Sequence, residues 1–198
     1  MTTLDSTIRR ATRERYMTAH LRVLSLWQPW ASLCVTPDPE HEGAPAKVHE
    51  TRDWAPRIAL PIAVAIHATK TVHKEARYAF AAPEFRAALK RCGFYPDDPT
   101  LLLAGKMQSP LRPVPLGAIV GLATVVTVHR MIETHAAQED DRVFGSWSPG
   151  RFAWRLASTV MLPEPIRFIG RQDALYDLDL ATRERINAQL HAMMARDE

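Results

Sequence analysis

Apolar residues recur with a period of two at several points along the chain, the pattern of strands buried on one face. The clearest case is residues 61–67, where Ile62, Val64 and Ile66 alternate with alanines. Residues 117–130 form the longest run rich in β-branched side chains. Further strands are predicted over residues 21–26, 152–156 and 166–169. Five or six short strands with interleaved helices predict an α+β protein, a small, mainly antiparallel β-barrel with peripheral helices.

Segments with helical periodicity lie between and outside these strands. Residues 6–19 predict a weakly amphipathic, arginine-rich helix, and Asp179 is a suitable N-cap for a C-terminal helix over about 180–196. Helices are also predicted over residues 27–35 and 72–92, the latter divided at Pro83. We therefore divide the chain into a basic helical extension (1–20), one domain (21–178) and a C-terminal helix (179–198) packed on or beside it.

Composition excludes some classes of function but does not identify a single one. The 198 residues suffice for one core, and the net charge of +3 includes 20 arginines but only five lysines. Arginine suits contacts with phosphates and bases, although a GC-rich genome gives the same bias. No apolar run is long enough for a membrane span, and no signal-peptide pattern precedes the domain. With only two cysteines and dispersed histidines, we expect a cytoplasmic protein with no cofactor and no metal site.

The junction at residues 24–30, Leu-Ser-Leu-Trp-Gln-Pro-Trp, combines a strand, two tryptophans and an amide. Trp27, Gln28 and Trp30 therefore lie where a strand enters a helix. Flat aromatic faces beside an amide suit a pocket for a nucleobase. The alternative is structural: the tryptophans close the barrel and Gln28 caps backbone groups.

The tryptophans cluster in sequence, which favours a shared site. All five fall in three segments: the 24–30 junction, the polar stretch 47–54 and the turn and strand 144–156. The long strand 117–130 and the terminal helix contain none. The same three segments supply these candidate ligand contacts: Trp27, Gln28, Trp30, Lys47, Glu50, Arg52, Trp54, Ser146, Ser148 and Arg151. His67, at the end of the strand predicted over 61–67, either faces this site or is a satisfied histidine at the barrel end.

Five motifs in this order resemble the ASCH domain of the PUA-like superfamily. They are Leu-Ser-Leu-Trp-Gln-Pro-Trp, Lys-x-x-Glu-Thr-Arg-x-Trp, Ile-His-Ala with Lys70 following, Gly-Ala-Ile-Val-Gly, and Phe-Gly-x-Trp-Ser-Pro-Gly-Arg-Phe-Ala-Trp. The resemblance covers about residues 21–178. It implies a PUA-like β-barrel, a cleft between the barrel and the helix after the first strand, and an association with RNA.

The resemblance also implies a hydrolase as an alternative. Some small ASCH proteins remove the N4-acyl group of acylated cytidine with a lysine, a threonine three residues later and a more distant glutamate. Lys47 matches the lysine, but Glu50 occupies the threonine position, and Thr51 is one place along. Glu139 matches the later glutamate by position, with Glu133 as a competing choice.

Alternation raises a difficulty for a Lys47–Glu50 dyad. In a regular strand, residues three apart face opposite sides, whereas Glu50 and Arg52 share a face and would form a bracing ion pair. A turn or bulge would be needed to bring Lys47 and Glu50 together.

Other ASCH proteins resemble RNA-binding modules or nucleases. In a ribonuclease, Lys47 would stabilise phosphate charge, Ser146 or Ser148 would donate to a phosphate oxygen, and Arg151 would clamp the backbone. A binding module would stack bases on Trp27, Trp30 or Trp54, read an edge with Gln28 and hold phosphates with Lys47, Arg52 and Arg151. Our leading prediction is binding of RNA or a modified nucleoside. A hydrolase is the first alternative, and a protein-interaction module of the cointegrator type is the second. The oligomeric state is left open.

Overall fold

The computed structural model describes residues 3–41, 43–94, 114–132, 142–171 and 175–197. Its helices are α1 (Thr3–Thr18), α2 (Trp30–Leu33), α3 (Lys74–Ala81), α4 (Pro83–Arg91) and α5 (Leu180–Arg196). Its strands are β1 (Arg22–Leu26), β2 (His49–Arg52), β3 (Ile62–Ala68), β4 (Ala118–Arg130), β5 (Phe152–Arg167) and β6 (Tyr176–Asp177). A short 3₁₀ turn spans Arg142–Phe144.

The strands form one six-stranded sheet in the order β2-β5-β4-β3-β1-β6. Neighbouring strands are antiparallel except for β1 and β3, which are parallel. The prediction of a mainly antiparallel α+β protein is confirmed. The predicted separate strand at 166–169 is instead the end of the long strand β5.

The prediction of a closed barrel is wrong, because the sheet is open. Its edge strands β2 and β6 have four and two residues, and among the described residues no ladder joins one to the other. Register shifts between β4 and β5 mark bulges, which bend long strands. A guanidinium nitrogen of Arg52 on β2 donates to the Ser25 carbonyl of β1 at 2.6 Å, and apolar side chains of β1 pack in one cluster with Trp154 of β5. A side chain therefore bridges the gap that a strand pair would fill in a barrel.

Alternation along the strands separates two apolar clusters on the two faces of the sheet. On one face, alternate residues of β1 and β3 pack with α2 and with the buried Trp154. On the other face, α1 and α5 pack on the sheet through residues such as Tyr16, Ile186 and Leu190. A third cluster joins α3 and α4 to the 3₁₀ turn through Phe80, Phe85 and Phe144. The division into an extension, one domain and a C-terminal helix stays a prediction.

Candidate functional site

A wide cleft of about 1580 Å³ opens between the sheet and α3. Its walls come from the ends of β1, β3 and β5, the residues before β4, strand β2, and the segment around the 3₁₀ turn. The cleft residues thus come from distant parts of the sequence. The open, curved sheet brings them to one place.

A chain of three charged residues runs from behind one wall of the cleft to its surface. The Lys47 ammonium lies 3.3 Å from one Glu50 oxygen, and Arg52 Nε lies 2.9 Å from the other. Lys47 also donates to the backbone carbonyl of His49. Glu50 is therefore held between two cations, and both the Lys47–Glu50 pair and the bracing Glu50–Arg52 pair are present.

Lys47 and Glu50 share a side because Lys47 precedes the strand. Strand β2 begins at His49, so the alternation that separates odd offsets does not extend back to residue 47. Lys47 is only 1% exposed and does not line the cleft, whereas Glu50 and Arg52 do. The lysine therefore supports Glu50 from behind, and in this conformation a ligand would meet the carboxylate and the guanidinium instead.

Ser25 and His67 form a second polar pair on the cleft wall. They are register partners in the parallel β1–β3 pair, and Ser25 Oγ lies 2.9 Å from His67 Nδ1. Burial lowers the pKa of His67 to about 4, against a smaller raising effect of the Phe168 backbone. His67 Nε2 is buried and makes no well-formed hydrogen bond. The contact between the ring and the Phe168 backbone is therefore weak. The imidazole is therefore neutral near pH 7.

Packing fixes the position of the His67 ring. The ring meets Phe168 edge to face, with centroids 5.3 Å apart. Gly170 lies so close to the imidazole that a Cβ at that position would overlap it. Both alternatives for His67 thus hold in part, because it lines the cleft and is also packed and hydrogen-bonded.

The three tryptophans predicted as ligand contacts all line the cleft, but with different exposure. Trp27 is 40% exposed and stacks face to face on His73, with centroids 3.6 Å apart and an interplanar angle of 3°. Trp30 is half-buried and packs against Phe85, with ring centroids 5.9 Å apart. Trp27 presents the most accessible indole of the three.

Trp54 is anchored by two neighbours. Trp154 meets it edge to face at 4.6 Å and donates its indole N–H to the Trp54 carbonyl at 3.2 Å. The Arg52 guanidinium carbon lies 5.9 Å from the Trp54 ring centroid, a cation–π distance. Trp54 therefore joins the charged wall to the apolar core.

Gln28 does not face the cleft, contrary to the sequence expectation. It is fully buried, and its amide nitrogen donates to Ser32 Oγ at 2.9 Å and to the Pro115 carbonyl at 2.8 Å. Its amide oxygen accepts the Ser32 N–H at 3.2 Å. The structural alternative applies, because the turn between β1 and α2 leaves backbone groups that need partners.

The segment before β5 contributes one cation and one exposed serine. Arg151 lines the cleft and donates to the Thr51 carbonyl at 3.1 Å, and the Ser146 N–H donates to Thr51 Oγ1 at 3.0 Å. Thr51 thus holds this segment against β2. Ser148 is exposed but lies outside the cleft lining. Glu133 and Glu139 lie outside the described residues.

Sequence reasoning missed several residues that line the cleft. They are Ser25, Lys70, Tyr78, Arg167 and Arg171. Ser25 was detectable, since it is the polar residue of the strand that leads directly into Trp27. The two arginines carried no such signal, because their place depends on how β5 ends.

The cations outnumber the acids among the described residues of the lining. The lining includes five basic side chains and three acidic ones. The basic residues are Arg52, Lys70, Arg151, Arg167 and Arg171, and the acidic residues are Glu50, Asp53 and Glu75. Glu50 is already neutralised by its two ion pairs. The cleft therefore favours an anionic ligand.

The described part of the chain has neither a metal-binding cluster nor a membrane-spanning helix. No group of three histidine, cysteine or acidic side chains there could hold a metal ion. None of the described helices is both long enough and apolar enough to cross a membrane.

Comparison with known proteins finds similarity among solved structures. A crystal structure of ASCH from Zymomonas mobilis has a TM-score of 0.46 and 16% identity, covering 88% of this chain and 94% of that one. A mutant of the same protein has a TM-score of 0.48 and 15% identity, covering 85% of this chain and 97% of that one. These structures carry the name of the family that the five motifs resemble. No protein-family model and no curated protein matches the chain.

Proposed function

We propose that this protein binds RNA or a modified nucleoside in the cleft. The observation that carries the proposal is that accessible indoles and guanidinium groups open onto one cavity. Stacking on an aromatic face and pairing with phosphate are the two main interactions with an unpaired nucleotide. Trp27 and Trp54 supply the first, and Arg52 and Arg151 supply the second.

Preorganisation supports this assignment. Arg52 is held by Glu50 and the Ser25 carbonyl, and Arg151 by the Thr51 carbonyl. Trp27 is held by its stack on His73. Groups already fixed in the free protein lose less conformational entropy on binding, which strengthens affinity without new contacts.

Isothermal titration with adenosine 5′-monophosphate, N4-acetylcytidine and short single-stranded RNA tests the proposal. For the two phosphate-bearing ligands we expect binding that weakens as salt rises, because phosphate contacts release counterions. The salt dependence is the slope of the logarithm of the binding constant against the logarithm of the salt concentration. Arg151→Gln should reduce the magnitude of this slope by about 0.7 for each phosphate that the variant no longer neutralises. Arg185→Gln, an exposed change on α5 outside the cleft lining, removes the same charge and should leave binding unchanged.

Absence of binding to every nucleotide tested would reject the proposal and leave a protein-interaction module. Equal reductions in Arg151→Gln and Arg185→Gln would show that only overall charge matters.

A hydrolase is the second candidate, because Glu50 faces the cleft in contact with a lysine. The burial of Lys47 makes Glu50 the group that would meet the substrate, with Lys47 holding it in position. Turnover of N4-acetylcytidine or single-stranded RNA by the purified protein tests this candidate. Glu50→Gln, which keeps the shape of the side chain, should abolish turnover but retain binding. Turnover that survives in this variant would exclude Glu50 as the reacting group.

A further inference from the structure

We propose that the cleft contains a second base-stacking subsite, at Trp27, and that its ligand is a single-stranded oligonucleotide longer than one nucleotide. This inference rests on the proposed function and deepens it, since it specifies the size of the ligand. It separates two aromatic positions that serve different nucleotides.

The size of the cleft is the first argument. Sites for a single small ligand typically enclose roughly 300–1,000 Å³. The cleft measures about 1580 Å³, and its lining includes both Trp54 after β2 and Tyr78 on α3. One nucleoside would leave much of this space unfilled.

The arrangement of the aromatic side chains is the second argument. Trp54 lies beside Arg52, whose guanidinium crosses to the Ser25 carbonyl on β1. Trp27 follows Ser25 by two residues, just beyond the end of β1, and both residues line the cleft. The Arg52 bridge thus connects Trp54 to the strand end that carries Trp27.

The stack on His73 makes Trp27 a rigid platform. His73 covers the ring in parallel at 3.6 Å and does not itself line the cleft. The His73 ring is held in turn, because its Nδ1 accepts the Glu75 N–H at 3.3 Å. One face of Trp27 is therefore occupied while the indole stays 40% exposed and lines the cleft, as a stacking surface for a base requires.

A group of exposed cations continues from Trp27 along the rim, and it is the third argument. Backbone hydrogen bonds tie Thr69, Gly117 and Phe168 together, which places the ends of β3 and β5 beside the start of β4. Lys70, Arg167 and Arg171 surround this junction, and all three are exposed and line the cleft. They offer phosphate contacts beyond the reach of a ligand confined to Arg52 and Arg151.

Tyr78 on α3 faces this part of the cleft from the other side. It is 69% exposed and lines the cleft, so its ring is accessible to a base. Together, the Trp27 and Tyr78 rings and the rim cations form a positively charged passage with aromatic walls, the usual design of a single-strand binding groove.

Affinity as a function of ligand length tests the inference. Titrations would compare adenosine 5′-monophosphate with the adenylate dinucleotide, trinucleotide and hexanucleotide. We expect affinity to rise about tenfold or more from the mononucleotide to the longer ligands, the gain that one additional stacked base supplies. The salt dependence should steepen with length as rim cations are engaged.

Variants assign the gain to its residues. Trp27→Leu should remove most of the gain in affinity with length, so that it lowers hexanucleotide affinity far more than mononucleotide affinity. Lys70→Gln combined with Arg171→Gln should lower hexanucleotide affinity and its salt dependence while sparing the mononucleotide. Leu180→Ala, an exposed apolar change on α5 outside the cleft lining, is the matched control for Trp27→Leu. Circular dichroism verifies that each variant is folded, and the Lys70 and Arg171 pair provides the test if Trp27→Leu does not fold.

The outcomes separate this inference from the proposed function. Equal affinity for all lengths rejects the second subsite alone. A gain with length that survives both sets of changes also rejects it, because the additional base would bind elsewhere. If no nucleotide of any length binds, the proposed function fails and the subsite fails with it.

Discussion

The two faces of the sheet are buried in different ways. On the face covered by α1 and α5, the core is apolar, and its buried polar groups include the Tyr16 hydroxyl and Arg13, which pairs with Asp197. At the cleft wall, Lys47 and Glu50 are buried as an ion pair that continues to Arg52. Burying charges costs several kcal/mol of desolvation per ion, and apolar packing of similar volume is often at least as stable. The charged wall is therefore not required by stability alone, which agrees with the binding role proposed for it.

The largest expected effect comes from breaking the ion pair. Lys47→Met should lower the free energy of unfolding by about 3–4 kcal/mol, because Glu50 loses one of its two cations in a buried place. The His49 carbonyl loses its donor as well. Urea denaturation followed by circular dichroism measures the decrease. The double variant Lys47→Met/Glu50→Gln should recover part of it, since the uncompensated charge is then removed.

Truncating a buried side chain on the face covered by α1 and α5 tests whether the two faces differ in function. Leu190→Ala should cost about 3 kcal/mol, because Leu190 is fully buried against the sheet. It should not alter nucleotide affinity under conditions where the protein is folded, whereas Lys47→Met should weaken binding by releasing Glu50 and Arg52. If Leu190→Ala weakened binding as much as Lys47→Met does, the two faces would not be functionally distinct.

Acid should destabilise the cleft side through His67. The pKa of His67 is about 4 in the folded protein, below its ordinary value of 6.5, because burial disfavours the charged ring. The unfolded chain therefore takes up the proton first as the pH falls. Stability is full above pH 6.5 and declines until both states are protonated, near pH 4, with a loss of up to about 2 kcal/mol by pH 5.

Urea midpoints at pH 8 and pH 5 measure this dependence against His67→Asn. The variant should be less stable at pH 8 but should lose less stability on acidification, because asparagine does not titrate. Parallel pH profiles for the two proteins would contradict a titration of His67.

Local pattern predicted the strands well but could not determine how the sheet closes. The alternation of Ile62, Val64 and Ile66 matches β3, and the predicted run 117–130 matches β4 almost residue for residue. Closure depends instead on contacts between distant residues. The short edges and the bulges between β4 and β5, which leave Arg52 to bridge the gap, have no periodic signature.

The lining of the cleft was predicted at the level of segments and less well for individual side chains, and the functional roles of these residues stay predictions. All three tryptophan-bearing segments contribute to the cleft lining. Lys47 and Glu50 meet because β2 begins at His49, after Lys47. Alternation alone cannot place the start of a strand to within one or two residues. Gln28 illustrates a second limit, because an amide suits a ligand edge and a backbone cap equally well.

The smallest expected change in stability comes from removing the Tyr16 hydroxyl, and it tests whether this buried polar group has a structural role. The Tyr16 hydroxyl lies 2.8 Å from both Thr124 Oγ1 and the Ser158 carbonyl, and burial raises the pKa of the phenol. Ser158 has a φ of 53°, an uncommon conformation for a residue with a side chain, at a register shift between β4 and β5. The hydroxyl thus stabilises a bulge that bends the sheet. Tyr16→Phe should cost about 1 kcal/mol in urea denaturation and leave nucleotide affinity unchanged, since the ring still fills its place. A decrease in affinity in this variant would mean that the bend on one face sets the shape of the cleft on the other, so the two faces would not act independently.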